Sequence, residues 1–75
     1  MNIDIYQSNS NPAKFMSVAA GVPPSSFKVP DTDYVSVRRW KTNIDLAVDR
    51  FVLDSAAAEA AIQAVGFYLH AISTP

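Results

Sequence analysis

His70 is the only histidine in the chain, and cysteine is absent. Nucleophilic catalysis needs a base within hydrogen-bond reach of the nucleophile and a third group that orients the base. Serines are plentiful, but none sits in an elbow or triad context, and no residue near His70 in sequence is an obvious partner for it. The chain therefore reads as a non-enzyme that implies no cofactor. Asp31-Thr32-Asp33 opens like a calcium loop, yet the sixth loop position is Ser36 rather than glycine and the twelfth is Thr42 rather than glutamate. The two aspartates are better explained as turn residues ahead of a strand at Tyr34, and no metal site is expected. Asp45, Asp49 and Arg50 read as a solvated charged face.

Arg38-Arg39-Trp40-Lys41 gathers three of the six basic residues around the only tryptophan. Guanidinium and indole groups can grip phosphate and stack a base, as single-strand binders do. The competing explanation is an edge strand whose charges oppose aggregation while Trp40 covers the rim of the core. Acidic residues at 31, 33, 45 and 49 flank the patch, and the net charge is −1, so nothing draws the whole molecule toward nucleic acid.

The elements that would position these groups follow from periodicity. Ile3 and Ile5 alternate with Asn2, Asp4 and Tyr6, the pattern of a half-buried strand. Gln7 to Pro12 is a dense run of turn formers, after which Lys14 to Ala20 alternates again, giving a β-hairpin. Gly21 to Pro30 carries Pro23, Pro24 and Pro30, and is expected to cross one edge of the sheet anchored by Phe27 and Val29. Tyr34 to Trp40 alternates as a third strand, and 43–48 either continues it past a bend or makes a short helical turn.

The alanine-rich run 55–65, capped by Asp54 or Ser55 and stopped at Gly66, predicts the one long helix. The β-prone Phe67-Tyr68-Leu69 then predicts a final strand through 72. A rival pattern exists, because Ala58, Ile62, Val65, Leu69 and Ile72 also make the stripe of a continuous helix over 55–73. Glycine costs about 1 kcal/mol inside a helix but suits a left-handed terminus, so helix followed by strand is preferred. The expected fold class is α+β: a small two-layer domain with an antiparallel sheet of three to four strands and one helix packed on one face.

Size bounds the function. A chain of 75 residues makes one domain. It buries only roughly 60–65% of its unfolded surface, and without cysteine the staple left open is self-association. The hydrophobic fraction of 49% against 17% charged is that of a globular chain. Asp4 stands where a signal peptide would carry a cation, and no window approaches a membrane span, so a soluble cytoplasmic protein is expected.

Asp4, Ile5, Tyr6, Val22, Pro23, Asp33, Ile62, Gly66 and Phe67 occur in an order that resembles a family of short bacterial proteins. Its members open with Met-x-(Val/Ile)-Asp-Ile-Tyr and close with a helix, a glycine and an aromatic strand. The family pattern has tryptophan soon after the central aspartate, where this chain has Tyr34 and places Trp40 later. The resemblance implies a bacterial origin and no activity.

With Ile3, Ile5, Val18, Val35, Val37 and Leu69 turned to the helix, the second sheet face would display Tyr6, Phe15, Tyr34, Trp40 and Tyr68. An aromatic face with Arg38 beside it is the composition of an interface. The function expected is a non-catalytic interaction or regulatory module that forms a homodimer or binds another protein. The alternative is a weak single-strand nucleic-acid binder through Arg38, Arg39, Trp40 and Lys41.

Overall fold

The computed structural model describes residues 1–47 and 55–71. The expectations for Val48, Asp49, Arg50, the cap at Asp54 and the segment from Ile72 onward lie outside the described residues. Four strands form one antiparallel sheet, in the order β3-β1-β2-β4. They are β1 (Asn2–Ser8), β2 (Lys14–Ala19), β3 (Val37–Asp45) and β4 (Phe67–Ala71), and α1 (Ser55–Val65) packs against one face. The α+β class read from the sequence is the class observed.

The helix ends where the glycine stops it. Gly66 donates to Ile62 O at 2.9 Å and takes φ +95°, a conformation that costs a residue with Cβ dearly. The chain then runs straight into β4, so the continuous helix is not formed.

The phase between strands differs from the expectation. In the hairpin, Ile5 lies opposite Ser17 and Gln7 opposite Phe15, so Phe15 shares a face with Ile3 and Ile5. Ile62 completes that core, with Trp40, Ile44 and Tyr68 packed around it. The opposite face holds Tyr6, Met16 and Val18, covered by Phe27, Val29 and Tyr34 and joined by Val37 and Leu69. Val18, Val37 and Leu69 thus turn away from the helix, whereas Phe15, Trp40 and Tyr68 turn toward it. A one-residue slip exchanges the faces of a whole strand.

Strand β3 slips twice against β1. Tyr6 pairs with Arg39 but Ile5 with Lys41, leaving Trp40 as an extra residue; a second shift follows before Ile3 meets Ile44. Asn43 sits in that second irregularity with φ +54°. Such bulges bend an edge strand and redirect its side chains. The strand also starts later than expected: Thr32–Tyr34 is a 3-10 turn, with Asp31 as its N-cap accepting from the Asp33 N–H at 2.9 Å. Residues 43–45 continue the strand.

The proline-rich segment is anchored by Phe27 and Val29 as expected, with Phe27 meeting Phe67 of the edge strand β4 at 5.5 Å; both anchors cover the second face, so the sheet lies between the helix and a layer of irregular chain.

Candidate binding groove

Residues 24–37 lie over the second sheet face and line an open concavity of about 740 Å³. Apolar groups dominate its lining: Phe27, Val29, Pro30, Tyr34, Val35 and Val37. The volume falls within the ~300–1,000 Å³ typical of ligand clefts. Prolines at 23, 24 and 30 hold this geometry by fixing φ, and a 3-10 turn over Pro24–Ser26 bends the chain into it. Val35 stands 81% exposed at the rim, the most exposed large aliphatic among the described residues.

The lining at Tyr34 is pinned electrostatically. Lys14, at the start of β2, reaches Asp31 Oδ2 at 2.6 Å and Asp33 Oδ2 at 3.0 Å, and its ammonium lies 5.9 Å from the Tyr34 ring centroid. The hydrogen bond to Asp31, then that to Asp33, pushes the Lys14 ammonium pKa above its ordinary value. The bond from Lys14, then the Asp33 backbone N–H, holds the Asp31 carboxyl below its ordinary range. The aspartates that open like a calcium loop therefore serve a lysine and a turn. Among the described residues, no group of three or more His, Asp or Glu side chains could hold a metal ion.

Lys28 and Ser25 also line the groove. Lys28 has no ion pair, and its N–H and that of Val29 make no hydrogen bond among the described residues. Ser36 Oγ accepts from Asn9 Nδ2 at 2.8 Å, which leaves its own proton available.

The six residues expected on one aromatic surface are divided. Tyr6 and Phe15 are buried, on opposite faces. Tyr34 lines the groove, while Trp40 and Tyr68 pack beneath the helix. Trp40 meets Phe15 edge-on at 4.9 Å. Arg38 donates through Nε and Nη2 to Gln7 Oε1 at 2.9 and 2.6 Å. Arg39 lies 6.0 Å from the Tyr6 ring and Lys41 5.5 Å from that of Trp40. The basic run is thus spread over both sides of an edge strand, not gathered in one patch.

His70 does have a partner, which sequence distance concealed. β2 and β4 pair with Phe15 opposite His70, and this brings Ser17 Oγ to 2.7 Å from His70 Nε2. Burial pushes the imidazole pKa down to about 4. Ser17 is fully buried, so its hydroxyl meets no solvent-borne substrate, and His70 Nδ1 has no partner among the described residues. The ring lies between Phe15, at 6.0 Å, and Tyr68, at 5.2 Å, as part of the layer beneath the helix.

Comparison of the chain with protein-family models, curated proteins and solved structures finds no match.

Proposed function

We propose that this chain is a non-catalytic interaction module, of bacterial origin by its resemblance, that self-associates or recognises another protein through the groove of residues 24–37. The observation that carries this reading is Val35, 81% exposed beside an apolar concavity. An isolated surface valine needs no explanation, but one continuous with Tyr34, Val37 and Phe27 makes a patch that water covers poorly. The expected working surface thereby moves from the sheet face to the loop that covers it. Nucleic-acid binding draws less support, since the Trp40 ring is packed on Phe15.

Selection of displayed peptides against the immobilised domain, combined with light scattering over a concentration series, tests the reading. Peptides, or dimers, that are lost on Val35→Glu support it. Ligands indifferent to Val35→Glu and Tyr34→Ala, or a chain that stays monomeric and enriches nothing, would sink it. Steep loss of oligonucleotide binding with salt would favour the nucleic-acid alternative instead.

A further inference from the structure

We infer that the groove takes an extended segment of a partner protein in which an acidic residue stands between two apolar ones. The inference rests on the reading of this groove as the working surface and names what fills it. Its basis is the wall Phe27-Lys28-Val29. Phe27 is extended, at φ −121° and ψ 143°, and Phe27 and Val29 pack inward on the sheet while Lys28 is exposed. The stretch therefore alternates apolar, basic, apolar, as a strand does.

Two features of that wall lack partners within the described residues. The Lys28 and Val29 N–H groups are both unbonded; in an extended stretch successive N–H groups point to opposite edges, so a strand laid along the groove would satisfy one of the two. The Lys28 ammonium has no carboxylate, whereas Lys14 on the same side of the sheet has two. Backbone groups of this kind are satisfied by a strand laid alongside, with pockets for alternate side chains supplying selectivity. Flanking prolines at 24 and 30 limit the pairing to a few residues and prevent open-ended sheet growth. A segment whose alternate apolar side chains enter between Phe27, Tyr34 and Val37 places its intervening side chain beside Lys28. Opposite charges at such facing positions attract, and like charges repel.

The test uses acetyl-Gly-Val-Glu-Val-Gly-amide and its counterparts with Gln or Lys at the centre, titrated into the ¹⁵N-labelled full chain. The Glu peptide is expected to shift the Lys28, Val29 and Val35 amides and to bind about five- to tenfold more tightly than the Lys peptide. Lys28→Glu should reverse that order, with the spectrum elsewhere unchanged as proof of folding. N-methylation of the central residue should abolish binding. Equal affinity for the three peptides overturns the inference while leaving the groove as a binding surface. It is also overturned if the groove amides ignore all three peptides, whether they move only with protein concentration, so that a second copy is the occupant, or do not move at all. The interaction-module reading fails separately, when selected ligands prove indifferent to Val35→Glu.

Discussion

Gly66 is constrained twice over. Its φ of +95° excludes most side chains, and a Cβ there would come within 2.7 Å of Phe27 Cζ. Relief would require displacing the Phe27 ring, which also packs on Phe67 at 5.5 Å. Gly66→Ala should therefore destabilise the fold by about 2 kcal/mol, more than the left-handed backbone alone would cost; urea denaturation measures this, and a stabilised variant would mean the turn is wrong. His70 gives a pH signature. Its folded pKa of about 4 lies below the ordinary 6.5, so the folded state resists protonation. Its contribution to stability is complete above pH 6.5 and is lost as pH falls from there toward 4. The melting temperature should decline across that window, and His70→Phe should flatten the decline.

Asp4 joins three elements. Its Oδ2 accepts from the Gly21 N–H at 3.0 Å, in the turn after β2, and its Oδ1 from the Asn43 N–H at 2.8 Å, in the second irregularity of β3. Burial alone would raise this carboxyl, but the two N–H groups, aided by the Arg39 charge, hold it below the ordinary aspartate value. An ionised carboxylate accepts at both oxygens, which an amide cannot do. Asp4→Asn should cost about 1–3 kcal/mol at neutral pH, since one backbone donor then faces an NH₂ group. The linkage sign follows from the lowered pKa: this contribution is present above the ordinary aspartate pKa and disappears as pH falls through the folded one. Asp4 and His70 consequently act in separate windows, and a pH series on Asp4→Asn should retain the decline between pH 6.5 and 4 while losing part of the acid limb. Retention of the full acid limb would show that the clasp is not ionised.

Sealing both sheet faces changes what the aromatic residues do. A surface assembled from Trp40 and Tyr68 would loosen an oligomer when truncated, leaving the monomer intact. Packed with Phe15, Ile3 and Ile62, Trp40 instead supports the contact between sheet and helix. Trp40→Ala should lower monomer stability by about 2–3 kcal/mol, towards the low end for a large aromatic because the side chain is only half-buried. Guanidinium denaturation followed by helical circular dichroism, repeated at two protein concentrations, distinguishes the cases. A midpoint shift independent of concentration supports the core role; dissociation with an unchanged monomer midpoint would return Trp40 to an interface. Val35→Glu, at the exposed rim, should leave the monomer midpoint nearly unchanged.

Local pattern was enough for β1, β2, β4, the helix over 55–65 and its stop, though not for where β3 starts and ends, because alternation, alanine content and the conformational freedom of Gly66 act over a few residues. The anchors Phe27 and Val29 were legible too, as the apolar residues of a segment that proline bars from helix. Which way each strand faces was not. Ile3 to Tyr6 and Phe15 to Val18 are buried on both sides, so no polar row marks an outer face. The phase was set instead by the hairpin register and by bulges at Trp40 and near Asn43, which depend on pairing with β1. Ser17 and His70 met only because β4 returned beside β2. The groove escaped sequence reading for the same reason: residues 24–30 read as a connection and 34–37 as the start of a strand, and together they line a concavity only once the sheet lies beneath them.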